Sequence, residues 1–515
     1  MRLSGRVRVT EDLFVLPGAT LELAPGTELR FEKSESTKVD PELFFGGTEL
    51  VVRGTLRADA AALVFSERTG GVVIDGGSAS FRNTSIAGAE AGITLVHGGK
   101  VSVEGKVTVS DCRFGLALFP GDGNPWSGNG ALTAARNAVG AVRFPGAPGP
   151  PGGFLREGSE EADAIEWNAD PGIAAVSAPP DPSPGPGARR IGDTFLDTDR
   201  VLEGDVIVDG ILRVAPGATL TLLPGTRLFF TFRDTDGDGI GENGIFLQGN
   251  LHAKGTRERP IGMHPVRGNG PGRWDSVNFM ASDRGENVLE HVEISGAYRG
   301  LHAHFSRLGG KGIRIVRCFR GVQFQESEVA LSGLTVSEST SALRCRDSDV
   351  RIDGFRVDGT VSGANFFRSR VTLRDALFDR SGWYGFRFRE SRVDWSGGEV
   401  ARSVVGVSVQ EGPVRADAVR VSRSGLASVA VVDGDVTLGE CRLSGSSLDG
   451  LSATRGSVSV TGGEIAGFRR HAVKLSGPAE VTLRGVAVPP PGNGAGAPLF
   501  LDGKSVPGLG VVRVE

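Results

Sequence analysis

A run of alternating aspartates at 233–245, RDTDGDGIGENGI, holds a dense group of potential metal ligands. Asp234, Asp236 and Asp238 stand at alternate positions, and a glycine follows where a calcium loop turns sharply. Glu242 comes at the ninth position of such a loop. Closely spaced carboxylate oxygens are the ligands that Ca²⁺ prefers, so the spacing predicts a partial, structural calcium site.

The same loop departs from a complete EF-hand. Its twelfth position, which should carry a bidentate glutamate, is Ile245, and no helices are expected on either side. Asn243 or backbone oxygens would complete the ligand set. The alternative is a plain turn, because Asp and Gly both favour turn conformations. The insert at the equivalent place in an earlier repeat, 32–47, lacks the aspartate triplet, so an ion would brace the fold locally rather than serve catalysis.

A second set of candidates consists of polar and aromatic side chains that recur every 21 or 22 residues. The pairs are His302 and His304, Gln323 and Gln325, Arg344 and Arg346, Asn365 and Phe367, and Arg387 and Arg389. Arginine forks and amides on a flat sheet suit the carboxylates and hydroxyls of an acidic polysaccharide, and Trp383 and Tyr384 are placed to stack on a sugar ring. The alternative is that every strand needs a solvated face.

Other signatures of chemistry are weak in this sequence. His302 and His304 share one strand face, but zinc needs a third ligand and the sequence nominates none. The G-x-S-x-G, H-E-x-x-H and P-loop motifs are absent. Four widely spaced cysteines match no metal or redox motif, and we expect them to be buried free thiols.

The elements that must position these residues are short strands in a repeated coil. Apolar and polar residues alternate in short runs broken by Gly, Ser and Asp, which is strand periodicity. Successive units begin at Gly300, Gly321, Ala342, Gly363, Gly385, Gly406, Ser428, Gly450 and Ala472, 21 or 22 residues apart. A unit of this length closes a core only by stacking on its neighbours. The pattern predicts an all-β parallel β-helix (β-solenoid), with Val322, Leu343, Phe386 and Val407 in one inward file.

An internal duplication divides the chain into two modules. LPGATLELAPGTELRF at 16–31 recurs as APGATLTLLPGTRLFF at 215–230, identical at eleven of sixteen positions. Dense proline between the copies favours extended, unpaired backbone. We expect an N-terminal solenoid module at 1–144, a Pro/Gly-rich linker at 145–190, an entry segment at 191–275, regular coils at 276–490 and a terminal cap at 491–515.

Composition excludes several classes of function. The net charge is −4 with both signs intermixed, and no basic region suggests nucleic-acid binding. No apolar run approaches the roughly 20 residues of a membrane-spanning helix. The start, MRLSGRVRVT, lacks the apolar core of a signal peptide. We therefore expect either a mature form of an exported protein or a protein that stays inside the cell.

The duplicated segment, the Asp-rich insert, LQGNLHAKGTRERPIGM, GRWDSVNF and the following coils together resemble the secreted bacterial right-handed parallel β-helix repeat proteins, the pectin-lyase-like superfold. The resemblance covers 200–490 well and 5–120 in part. It implies a right-handed β-helix in the periplasm, at the cell surface or outside the cell. The family includes polysaccharide lyases, hydrolases, epimerases and adhesins, so it selects no single function.

Active-site motifs of those relatives are missing here. The Asp-Asp, N-T-D and G-H-G motifs of polygalacturonase-like hydrolases are absent, and the epimerase motif Y-G-F-D-P-H has only YGFRFRE at 384–390 as a counterpart. We therefore expect a non-catalytic structural or adhesive solenoid that binds polysaccharide along its polar face. One alternative is a lyase or hydrolase of acidic glycans with His302 or His304 as the base. A second is a scaffold subunit of a larger assembly.

Overall fold

Strands and turns account for all of the secondary structure in the residues described by the computed structural model. These are 1–33, 44–45, 47–121, 123–144, 147–158, 162–166, 180–268, 270–282, 285–489, 499–501 and 511–515. The chain separates into two compact units, which we call the N-terminal module (1–174 with 237–239) and the C-terminal module (175–236 and 240–515). Much of the expected linker and cap lies outside the described residues.

The N-terminal module consists of three parallel sheets. The first sheet contains Arg2–Leu3, Thr20–Leu23, Thr55–Asp59, Ser78–Arg82, Lys100–Glu104 and Trp126–Ser127. The second contains Arg6–Val9, Glu28–Phe31, Ala62–Phe65, Ser85–Ala87, Lys106–Ser110, Ala131–Ala135 and Leu155–Glu157. The third contains Leu13–Val15, Glu49–Val52, Gly71–Asp75, Ala91–Val96, Phe114–Leu118, Val139–Arg143 and Ala162–Glu166. Each coil therefore places one strand in each sheet.

The C-terminal module repeats this design, with several long strands that continue around a corner into the next sheet. We call the sheet with the polar repeat the ladder sheet: Arg189–Leu196, Asp205–Val214, Gly244–Leu247, Trp274–Met280, Ala297–His304, Arg320–Gln325, Ser341–Arg346, Ser362–Phe367, Tyr384–Arg389, Val405–Asp417, Ala427–Gly439, Asp449–Ala453, His471–Leu475 and Leu499–Leu501.

Two further sheets complete each coil of the C-terminal module. The second sheet contains Arg200–Leu202, Thr219–Leu222, Asn250–Lys254, Val288–Glu290, Arg307–Lys311, Glu328–Ser332, Asp349–Asp353, Arg370–Ser381, Arg392–Ala401, Gly456–Thr461, Ala479–Arg484 and Val511–Val514. The third contains Arg227–Phe230, Ile261–Pro265, Val292–Ser295, Arg314–Val316, Thr335–Ser337, Arg356–Thr360, Arg420–Ser422, Arg442–Ser444 and Glu464–Ala466. All described pairings are parallel, so the prediction of an all-β parallel β-helix is confirmed.

The core is a set of inward files that run from coil to coil. Val322 pairs with Leu343, Leu343 with Ala364, Ala364 with Phe386 and Phe386 with Val407, each step one coil long. These side chains are 0–5% exposed. The predicted inward file is confirmed, because a unit of constant length places the same position of every coil at the same point of the stack.

The duplicated P-G-T segment makes the same turn in both modules. Gly26 and Gly225 have φ values of 79° and 84°, which glycine adopts without steric cost. The hydroxyl of Thr27 donates to the carbonyl of Ala24 at 2.6 Å, and that of Thr226 donates to Leu223 at 2.7 Å. The recurring segment therefore makes the same turn between two strands of each module's second coil, Thr20–Leu23 and Glu28–Phe31 in one module and Thr219–Leu222 and Arg227–Phe230 in the other.

Candidate ligand-binding face

The polar repeat forms one column on the outer side of the ladder sheet. Strand register pairs its members one coil apart in the order Asn278, His302, Gln323, Arg344, Asn365, Arg387 and Ser408. We call this set the ladder column. A neighbouring second column, two residues further along each strand, contains Met280, His304, Gln325, Arg346, Phe367, Arg389 and Gln410. The structure thus brings the sequence-predicted ligand-binding residues onto one face.

A file of buried serines holds the ends of the ladder strands in register. The backbone N–H of Ser327 donates to the hydroxyl of Ser348 in the next coil at 3.0 Å. The Ser348 hydroxyl donates in turn to the carbonyl of Arg346 at 2.8 Å. The same pair of bonds occurs at Ser306 and Ser369. Each serine therefore ties the last residue of its own strand to the serine of a neighbouring coil.

The ladder column is more enclosed than a solvated face would be. His302 and Gln323 are each 7% exposed and Asn365 is 4% exposed. Arg320, itself buried, donates from Nη1 to Oε1 of Gln323 at 2.6 Å, which fixes that amide. Arg344, like Arg387, is of intermediate exposure. The column therefore presents ordered polar groups rather than freely moving side chains.

Aromatic rings support several of the guanidinium groups. Arg389 and Arg368 lie over the Phe367 ring at 4.6 and 4.4 Å from its centroid. Arg387 lies 5.2 Å from the centroid of Tyr384 and donates to Gln410 Oε1 at 3.1 Å. These contacts hold the flat guanidinium groups in place on the sheet. Trp383, which the sequence also nominated for stacking, is only 3% exposed and is a core residue.

Carboxylates balance part of the positive charge in the second column. Glu326 lies 2.5 Å from Nε2 of His304. Asp347 accepts two hydrogen bonds from Arg368 at 2.8 Å and lies 3.1 Å from Nε of Arg346. Charge compensation is therefore stronger at the edge of the face than the sequence repeat alone suggested.

The ladder column continues upstream into coils that the sequence repeat did not reveal. Asn278 pairs with Phe246, Phe246 with Arg213, and Arg213 with Phe195. The steps from Arg213 to Phe246 and from Phe246 to Asn278 span 33 and 32 residues, because loops interrupt these coils. Phe195 is 67% exposed. The duplicated segment was the one signal that could have placed Phe246, since it aligns the strand after each copy.

The Asp-rich loop brings three carboxylates together. Single oxygens of Asp234, Asp236 and Glu242 lie within 4.8 Å of one another, and Asp238 is not in this group. Glu242 Oε1 accepts hydrogen bonds from the backbone and hydroxyl of Thr235, which lower the pKa of Glu242. An all-oxygen donor set of this kind fits a hard cation such as Ca²⁺.

Asn243, the fifth predicted ligand of the loop, serves a different contact. Its side chain is fully buried, and Nδ2 donates to the carbonyl and hydroxyl oxygens of Thr231 at 2.7 and 2.8 Å. This bond ties the two ends of the loop together. Only the amide oxygen of Asn243 is left to face a ligand.

The four cysteines are free and buried, as the sequence predicted. Burial raises the pKa of the Cys112, Cys318 and Cys345 thiols to about 12 and that of Cys441 to about 11. The thiols are therefore protonated at neutral pH and act as small core residues. Within the described part of the chain, we find no helix of the length and apolarity that a membrane crossing needs.

No protein-family profile matches this chain, and no curated protein matches it. Among solved structures it is similar to the periplasmic alginate epimerase AlgG, with 11% identity over 78% of each chain and a TM-score of 0.28. An aspartate-to-alanine variant of that enzyme gives 10% identity, the same coverage and a TM-score of 0.27. Likeness at this level carries no information about activity.

Proposed function

We propose that the C-terminal module binds acidic polysaccharide along the ladder column and does not turn it over. The observation that carries this proposal is the ordered file of arginines and amides at one-coil intervals. Arg344 and Arg387 lie two coils apart, about 10 Å at the usual strand spacing. That distance is comparable to the length of two linked sugar rings, so the carboxylates on alternate rings of an extended uronate chain can reach both arginines.

The chemistry of the face matches such a ligand. Guanidinium groups bind carboxylates through two parallel hydrogen bonds, and the amides of Gln323 and Asn365 suit sugar hydroxyls. Tyr384 and Phe367 add apolar ring surface beside the arginines. Ordering these groups before the ligand arrives lowers the entropic cost of binding. A protein with this role would act in the periplasm, at the cell surface or outside the cell.

Binding is favoured over catalysis by the surroundings of the two histidines. His302 is 7% exposed in the ladder column, and His304 is engaged with Glu326 at 2.5 Å. A general base needs free access to the proton that it removes. The experiment that tests binding therefore also tests the competing function, a lyase or hydrolase of acidic glycans.

The test is to measure binding of polygalacturonate and alginate to the full-length protein by calorimetry and by retention on immobilised polymer. Arg344→Ala with Arg387→Ala should weaken binding at least tenfold. The matched control, Arg351→Ala with Arg392→Ala, removes the same charge from the second sheet and should change affinity less than twofold.

Equal losses in both double variants would show that binding is non-specific charge attraction and would overturn the proposal. New reducing ends or unsaturated products during incubation would instead establish the hydrolase or lyase alternative. Absence of binding to every polymer would favour the scaffold alternative, in which the solenoid serves only as a spacer.

We further propose that Asp234, Asp236 and Glu242 hold a structural Ca²⁺. Three carboxylates held close together repel one another, and a divalent cation relieves that repulsion. Calcium at saturating concentration should raise the melting temperature, and Asp234→Asn with Asp236→Asn should abolish the rise. An unchanged melting temperature after chelation and calcium addition would leave the loop as a plain turn.

A further inference from the structure

A cavity of about 220 Å³ opens on the ladder sheet at the upstream end of the ladder column. Three consecutive coils contribute its lining, which comprises Ile211, Arg213, Glu242, Gly244, Ile245, Phe246, Asp275 and Asn278. Pockets for drug-sized ligands measure about 300–1,000 Å³, so this cavity suits a smaller group. Its volume is comparable to that of one sugar ring.

The walls of the cavity combine an aromatic surface with polar atoms. Phe246 and Asn278 are successive members of the ladder column, and Arg213 precedes them. The amide oxygen of Asn278 is buried and, among the residues that the structure describes, no donor reaches it. Buried polar atoms are rarely left in this state, because losing water without a new partner costs free energy. A ligand hydroxyl would supply the missing donor.

Two carboxyl groups line the cavity wall. Asp275 accepts a hydrogen bond from the Ser276 hydroxyl at 3.0 Å and lies 3.9 Å from Arg299. Burial raises the pKa of this carboxyl. Glu242 accepts hydrogen bonds from the backbone and hydroxyl of Thr235. Hydroxyl groups donate to carboxyl oxygens, so they complement such a wall better than another carboxylate does, which like charge repels.

We propose that this cavity is a subsite for one neutral pyranose ring, stacked on Phe246 and hydrogen-bonded to Asn278 and Asp275. The inference rests on the proposed polysaccharide binding and refines it. The arginines downstream take the acidic rings, and the cavity takes an uncharged ring of the same chain. The ladder sheet thus binds two kinds of sugar at two places.

Methyl glycosides of glucose, galactose and mannose, with the matching methyl uronates, are the probes. Saturation-transfer NMR and calorimetry on the full-length protein should show at least one neutral glycoside binding in the millimolar range, with the uronates at least fivefold weaker. Phe246→Ala and Asp275→Ala should each weaken binding tenfold or more. Asp275→Asn, which keeps a donor and an acceptor, should stay within threefold of the wild type, and the distant Arg351→Ala control should be unchanged.

Thermal melting of each variant separates a lost subsite from a lost fold, and Asp275→Asn serves as the folded comparison if the alanine variant melts early. Equal affinity for uronates and neutral glycosides, or insensitivity to Phe246→Ala, would overturn the assignment. If no neutral glycoside binds while polyuronate retention still depends on Arg344 and Arg387, the subsite fails and the proposed function stands. If neutral glycosides bind through Phe246 and polyuronates are not retained, the ladder proposal fails.

Discussion

The two modules build the same coil and differ in what they place on the corresponding outer face. In the N-terminal module, register links Phe14, Val51, Val73, Thr94, Ala117 and Val142 into a single column on the third sheet. All of these except Phe14 are 0% exposed. Phe14 and Arg213 each stand two residues before a copy of the duplicated segment, and their register partners in the next coil are Val51 and Phe246. This column is therefore the counterpart of the ladder column.

The contrast shows that the coil itself does not determine function. Both modules keep apolar inward files and the same P-G-T turn. Outward residues are not constrained by the interior, so one column has become an apolar buried surface and the other a polar face. The strand ends differ as well. Serine follows the ladder strands, whereas glycine pairs such as Gly76 and Gly77 follow strands of the N-terminal column.

The largest effect on stability is expected when an arginine is placed in each of the two columns. Val73→Arg buries an unpaired charge and should destabilise the N-terminal module by about 4 kcal/mol or more. Ala430 lies in the ladder sheet between Ser408 and Ser452. Ala430→Arg should lower the free energy of unfolding by less than about 1 kcal/mol, since the arginine side chain can reach solvent. Urea denaturation of both variants measures the difference. Similar costs would mean that the two columns have similar surroundings.

An intermediate effect concerns acid stability. Burial alone would raise the pKa of Asp75, but a hydrogen bond and charge from His97, with the charge of Arg53, outweigh it and hold the pKa at about 2. A carboxyl with a lowered folded-state pKa stabilises the protein above its unfolded pKa, and the contribution disappears as pH falls through the folded value. The N-terminal module should therefore lose roughly 2 kcal/mol between about pH 4 and pH 2.

Hydrogen exchange with mass spectrometry can follow this loss in the N-terminal module separately. Asp75→Asn should be less stable at pH 6 and should show a smaller change between pH 4 and pH 2 than the wild type. An identical acid response in the variant would show that other carboxyls control acid unfolding.

The smallest effect on stability should come from the file of buried serines, which is the feature that distinguishes the strand ends of the ladder sheet from those of the N-terminal module. Ser348→Ala leaves the buried N–H of Ser327 without its acceptor and should destabilise the protein by about 1–1.5 kcal/mol. The exposed Ser457→Ala in the second sheet is the control and should cost less than about 0.5 kcal/mol. Equal stabilities for the two variants would show that the buried serines do not hold the ladder strands in register.

Repetition explains why so much of this architecture could be read from the sequence. Period-two alternation predicted the strands, and units of constant length predicted that Val322, Leu343, Phe386 and Val407 lie in one file, as the strand register confirms. The outer column followed from the same spacing. Where loops interrupt the coils, the regular spacing is lost. The sequence therefore does not show that Arg213, Phe246 and Asn278 are neighbours.

By itself, the sequence determined the fold class, the coil length, the inward files and the identity of the polar repeat, because each of these depends on local alternation and a regular period. Only the tertiary structure decided how deeply His302 and Gln323 are enclosed, which arginines rest on aromatic rings, and that Phe246 and Asp275 share a cavity. Burial and cavities arise from contacts between side chains of different coils, and no single coil contains that information.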